Sequence, residues 1–159
     1  MRMTHDFRPG PVIVIGAPYN GPMRWLGVDP GGKRLGLAVG DELTASASPV
    51  DVVAYPGCRA AAELIAAAVE DHGAAGAVVG LPTDADGGET PACARSHALA
   101  DALSQLGVAV HLQSEYLSSN EARRRARHAG RRRGAAVDDL AACVILEDFF
   151  ARPPGGGRA

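Results

Sequence analysis

The sequence predicts an α/β domain on a five-stranded mixed sheet, a three-strand meander followed by parallel strands, with helices on its flanks. Three observations carry this. Strand-like runs follow one another from residue 24 to residue 53 with only turns between them, which suits a meander. Beyond residue 58, Ala-rich helical stretches alternate with short apolar runs, which suits parallel pairing and gives the order βββαβαβαα. At 159 residues and 47% hydrophobic, the chain is long enough for one domain with a sizeable core. Aromatic residues are scarce, so that core is drawn mainly from Ala, Val, Leu and Ile.

The first strand spans 24–29, where Trp25-Leu26-Gly27-Val28 is apolar and Asp29 ends the run. Pro30-Gly31-Gly32-Lys33 forms the turn. The second strand, 34–40, alternates Leu35, Leu37 and Val39 with Gly36, Ala38 and Gly40, whose small side leaves room for close approach. A third strand is expected near 44–53, against the grain of Ser46, Ser48 and Pro49. Residues 59–72 carry Leu64, Ile65 and Val69 in an Ala-rich helix that Gly73 ends. Ala77-Val78-Val79-Gly80-Leu81 is a short buried strand stopped by Pro82, and 91–106 is a helix ended by Gly107. Val108 to Gln113 is the fifth strand. Ser118 to Glu121 matches a Ser-x-x-Glu capping box opening a helix to about His128, and 137–150 is the last helix.

The ends read differently. Residues 1–22 hold Pro9, Pro11, Pro18 and Pro22 around one apolar run, Val12–Ile15, and form an N-terminal extension, flexible or not native, before a domain over 23–151. The Pro/Gly-rich stretch 152–159 reads as a flexible tail. No apolar run approaches the roughly 18 residues of a membrane span, and the N-terminus lacks the pattern of a signal peptide. Cys58, Cys93 and Cys143 lack metal-ligand spacing and read as reduced thiols, Cys143 as a small core residue. A cytoplasmic protein is the simplest reading.

Candidate chemistry gathers where the strands end. In open α/β sheets, ligands bind outside the carboxyl ends of the strands. Asp29 ends the first strand, Glu115 follows the last, and Asp138 and Asp139 open the final helix, where acids also favour the helix dipole. Residues 140–146 are apolar nearly all round, so periodicity does not choose between Asp138 and Asp139. Carboxylates from separate elements suit hard divalent cations such as Mg²⁺ or Mn²⁺. Two such cations clamp the attacking and leaving oxygens of a phosphodiester.

The net charge of −2 conceals a concentrated basic run, Arg123, Arg124, Arg125, Arg127, Arg131, Arg132 and Arg133, with no acid between 122 and 137. Lys33, the only lysine, stands in the turn after Asp29, and Arg34 opens the second strand. Such a patch suits a polyanion, and nucleic acid is the natural partner. The loop Asp84-Ala85-Asp86-Gly87-Gly88-Glu89 lacks the full ligand spacing of a calcium loop and reads as a substrate-facing loop.

Four segments in order resemble the motifs of one family. They are Leu26-Gly27-Val28-Asp29-Pro30-Gly31-Gly32-Lys33-Arg34-Leu35-Gly36; Val78-Val79-Gly80-Leu81-Pro82 with Asp86-Gly87; Ser114-Glu115-Tyr116 through Ala122; and Val137-Asp138-Asp139-Leu140-Ala141-Ala142. They resemble the YqgF/RuvX family, described as Holliday-junction resolvases and pre-16S ribosomal RNA nucleases. The resemblance implies a ribonuclease H-like fold and a metal-dependent nuclease, with Asp29, Glu115 and Asp138 as its acids. It favours Asp138 over Asp139 by position. Two motifs depart from the family pattern. Ser114-Glu115-Tyr116 stands where Asp-Glu-Arg is usual, and Thr83-Asp84 stands where Leu-Asn is usual.

Ribosomal RNA precursor processing, at the 5′ end of 16S rRNA, is the expected role. The alternatives are a Holliday junction resolvase and a catalytically silent nucleic-acid-binding module. RNA is favoured and DNA remains open, because a junction resolvase works as a two-fold dimer and the sequence shows no obvious apolar dimer face; it leaves the oligomeric state open. Asp29-Pro30-Gly31-Gly32 followed by Lys33 also resembles the first phosphate loop of actin-like kinases. Those proteins close two related domains around ATP, and this chain has length for one and no second such motif.

Overall fold

The computed structural model describes residues 23–84, 86, 88–114 and 137–151. Among them run β1 (Arg24–Pro30), β2 (Arg34–Asp41), β3 (Ser46–Ala54), α1 (Cys58–Asp71), β4 (Gly76–Leu81), α2 (Cys93–Gln105), β5 (Ala109–Ser114) and α3 (Val137–Ala151). The strands form one five-stranded sheet in the order β3-β2-β1-β4-β5. β1 pairs antiparallel with β2, and β2 with β3, while β4 runs parallel to β1 and β5 to β4. This is the predicted meander with parallel strands added beside β1. The predicted helix over 118–128 lies outside the described residues.

The third strand survives its poor composition because of where it sits. β3 is an edge strand, where Pro49 gives up no ladder hydrogen bond to a further neighbour. A register shift opposite Leu37 and Ala38, which pair with Asp51 and Pro49, absorbs the extra residue as a bulge.

Each face of the sheet has its own core, set by the two-residue alternation of the strands. Leu26, Val28, Leu35, Leu37, Ala77 and Val79 meet Ala61, Ala62 and Ile65 of α1 and Leu99 and Leu103 of α2. Trp25, Ala38 and Val78 meet Ala142, Cys143, Ile145, Leu146 and Phe149 of α3 on the other face. Cys143 is buried and in no disulfide, a small core residue as its setting in the sequence predicts. The Trp25 ring packs edge-on to His111 and Phe149, with centroids 5.1 and 5.3 Å away, and its Nε1–H donates to Glu42 Oε1 at 2.7 Å.

The helix ends follow local chemistry. Gly73 and Gly107 adopt φ of 61° and 79°, the left-handed conformation that releases α1 and α2 into the next strands. Arg24 Nη1 donates to the His72 carbonyl at the end of α1, at 3.0 Å. Among the described residues, no helix is long and apolar enough to cross a membrane.

Candidate active site at the carboxyl ends of β1, β4 and β5

Asp29 is half-buried near the end of β1, and its face follows from its neighbours. Trp25 packs under α3, and a Cβ at Gly27 would meet α3, so the alternation puts Asp29 on the α3 side. Its cross-strand partner is Gly36, and Gly80 follows Val79, the partner of Val28 across the parallel pair. Glycines therefore stand beside Asp29 on both flanking strands.

The first turn of α3 comes to the same level. Gly27 faces the Ala142 carbonyl and Leu146, and Gly40, the partner of Trp25, faces Phe150. The helix therefore runs antiparallel to β1. Two residues along β1 from Gly27 to Asp29 cover about 6.6 Å, which four helical residues at about 1.5 Å each nearly match. That step leads from the Ala142–Leu146 level to the helix start, where Asp138 and Asp139 stand in the backbone.

Lys33 and Arg34 are exposed at the β1–β2 turn beside this edge. Glu115 and Arg123, Arg124, Arg127, Arg131, Arg132 and Arg133 lie outside the described residues, Glu115 directly after the end of β5. Among the described residues, no group of three or more His, Cys, Asp or Glu stands as a metal cluster. In the Asp84–Glu89 loop, Asp84 Oδ1 accepts from the N–H of Asp86 at 2.9 Å and of Gly88 at 2.7 Å, and Glu89 Oε1 lies 2.7 Å from His97 Nε2.

The two departures from the family pattern meet in space. The hydroxyls of Thr83 and Ser114 lie 2.7 Å apart and tie the end of β4 to the end of β5. Where the family pattern has an acid at 114, this chain has a neutral bridge just before Glu115. The buried Ser96 donates to the Gly80 carbonyl at 2.7 Å, and Cys93 Sγ lies 3.4 Å from the Pro82 carbonyl, so α2 is fastened to the same end of the sheet.

Sequence reasoning missed Arg95 and Tyr55. Arg95 Nη1 donates to the Gly31 and Gly32 carbonyls, both at 2.7 Å, and its guanidinium carbon lies 4.2 Å from the Tyr55 ring centroid. Burial pushes the Tyr55 phenol pKa up, with Cys58 adding to the rise and Arg95 opposing it. A signal was present, because a cation in the first turn of a helix opposes the helix dipole and needs another reason to be there.

Residues 23–152 match the family model described as RuvX, Holliday junction resolvase. The chain belongs to the RuvX family. Relatives named "Putative pre-16S rRNA nuclease" include one from Anaeromyxobacter dehalogenans strain 2CP-1, 43% identical over 137 residues, covering 82% of this chain and 98% of its own. One from Myxococcus xanthus is 36% identical over 138 residues, covering 83% and 91%. Among solved structures, the chain is similar to T. thermophilus RuvC in complex with a Holliday junction substrate. The TM-score is 0.51 at 19% identity, over 82% of this chain and 95% of that one. The likeness shows a ribonuclease H-like fold, as the RuvX motifs imply.

Proposed function

We propose that this RuvX-family protein is a metal-dependent nuclease that hydrolyses phosphodiester bonds in ribosomal RNA precursors, at the 5′ end of 16S rRNA, in the cytoplasm. Residues 23–151 form the nuclease domain, after an extension over 1–22 and before a tail over 152–159. One observation carries the reading. Asp29 stands at the carboxyl end of β1 on the face that α3 covers, level with the turn that holds Asp138. The names of the curated relatives point the same way.

The donor chemistry fits a hard cation. Asp29 offers carboxylate oxygen at a strand end, and Asp138 and Glu115 add carboxylates from separate elements, an all-oxygen set that Mg²⁺ and Mn²⁺ prefer over softer metals. When bound, such cations polarise the phosphoryl oxygen and stabilise charge on the attacking and leaving oxygens. The protein's part is to hold these carboxylates in place and to grip the phosphates that flank the scissile bond. Lys33 and Arg34 flank Asp29 from the β1–β2 turn, and Arg123, Arg124, Arg127, Arg131, Arg132 and Arg133 supply the larger basic run. Attack is in line on phosphorus, with no covalent enzyme intermediate. The family description favours a second reading, cleavage of a four-way DNA junction.

The test is a matched panel of pre-ribosomal RNA, single-stranded DNA and four-way junctions with Mg²⁺ or Mn²⁺, run against Asp29→Asn. The variant should fold and lose at least about a hundredfold in kcat, since the metal's charge stabilisation is worth several kcal/mol. Undiminished cleavage by that variant rules out the site.

A further inference from the structure

We propose that Arg95 is a positioning residue that clamps the Gly31-Gly32 turn and thereby fixes the Asp29 carboxylate at the end of β1. The inference rests on the nuclease reading of Asp29 and adds a residue that none of the motifs contains. The turn that follows Asp29 is poorly held by its own sequence. Two consecutive glycines lose the most conformational entropy on ordering. A Cβ at Gly32 would meet nothing within 4 Å, and its φ lies outside the left-handed region, so neither packing nor backbone conformation fixes this residue.

What holds the turn comes from elsewhere in the fold. One Arg95 Nη1 reaches the carbonyls of both glycines at 2.7 Å, from 64 and 63 residues away along the chain. Such bonds from a charged donor are about twice as strong as neutral ones. The Tyr55 ring, 4.2 Å from the guanidinium carbon, covers one face of the cation and limits where it can point. The Tyr55 N–H donates to the Lys33 carbonyl at 3.0 Å, so the far end of the turn is fastened to the same side chain's backbone. Arg95 itself is anchored, because its neighbour Ser96 is buried and bonded to Gly80 of β4. The chain of contacts runs from the sheet core through α2 to the turn, and only Pro30, the last residue of β1, separates that turn from Asp29. Carbonyl bonding also explains a cation in the first turn of α2, where the dipole disfavours it.

The experiment compares Arg95→Ala, Arg95→Lys and a control, Arg59→Ala, in the full chain. Arg59 is an exposed arginine of α1 paired only with Glu63 of its own helix among the described residues. Two readouts are taken: exchange of the Tyr55 amide, whose acceptor is the Lys33 carbonyl, and steady-state cleavage of single-stranded RNA with Mg²⁺ or Mn²⁺. In Arg95→Ala the amide should exchange about tenfold faster or more, the scale of one lost charge-assisted hydrogen bond. The kcat should fall by about tenfold or more with KM unchanged, as expected when a reacting group is misplaced. Arg95→Lys keeps a charged donor and should recover part of both, which keeps the test open if the Ala variant fails to fold. Arg59→Ala should change neither.

Unchanged exchange at Tyr55 in Arg95→Ala overturns the clamp. A raised KM with kcat retained also overturns it, making Arg95 a phosphate contact instead. If the wild-type chain cleaves no RNA or DNA with either metal, the nuclease reading fails. The exchange result still decides whether Arg95 holds the turn.

Discussion

Gly27 sits two residues before Asp29 on the same face of β1, and a Cβ there would stand 2.7 Å from the Ala142 carbonyl oxygen and 2.7 Å from Leu146 Cγ. The backbone oxygen cannot swing aside, so Gly27→Ala must push α3 off the sheet. A loss of about 1–3 kcal/mol is expected, read as a lower midpoint in urea. Gly32→Ala, with open space around its Cβ, should lose nothing measurable by the same assay. A glycine that admits a helix and one that merely lies in a turn look alike in sequence. His111 shows a different residue-scale effect. Burial beside Trp25 and Phe149 lowers its pKa from 6.5, and Glu42 only partly offsets this. The folded state therefore prefers the neutral ring, and the unfolded chain binds the proton more readily. Stability is full above pH 6.5 and declines as pH falls below that value toward the folded pKa. Thermal midpoints at pH 7.5 and 5.5 should show this decline, and His111→Phe should reduce it; an identical pH difference in that variant would remove His111 as its source.

Elements were legible where one physical signal dominated. The apolar runs of β1 and β4, the alternation of β2 and the glycine stops after α1 and α2 all read directly from the sequence. β3 was harder, since Ser46, Ser48 and Pro49 argue against a strand until the chain is seen to place it at an edge with a bulge. The face of α3 was illegible for a related reason. Its residues 140–146 are apolar nearly all round, and only packing on Gly27 and Gly40 shows which row meets the sheet. Asp29 could be picked as a candidate because a carboxylate at the end of a buried strand is costly without a role. The coupling of Arg95 to the turn spans more than sixty residues, and no local pattern reports such a contact. The tie between α2 and β4 is testable at this scale. Ser96 is fully buried and donates to Gly80, so Ser96→Ala leaves a buried carbonyl without that donor. A cost of about 1–3 kcal/mol is expected in denaturant unfolding, and a variant as stable as wild type would show that α2 is held by its apolar face alone.

Charge across the whole molecule bears on which polymer it takes. The net charge is −2, yet seven arginines crowd between 123 and 133, directly before the helix that carries Asp138. A local basic run on a mildly acidic chain draws a polyanion to one place while the remainder repels it. Under the proposed function, the arginines hold phosphates on either side of the bond to be cut. Each phosphate neutralised on a single strand adds roughly 0.7 to the log–log dependence of affinity on salt. Replacing Arg131, Arg132 and Arg133 together with Ala should flatten that slope by up to about 2 and weaken binding of unrelated RNA sequences alike. Measurement between 50 and 200 mM salt covers the range in which such slopes are usually read. An unchanged slope would mean these side chains stay solvated and touch no phosphate. The same preparation separates the two substrates, because resolving a junction requires two symmetric cuts and hence a two-fold dimer. A monomer that cleaves single-stranded RNA, with a salt slope that falls in the triple variant, supports the RNA reading. Paired nicks on a four-way junction by a stable dimer would establish the DNA reading in its place.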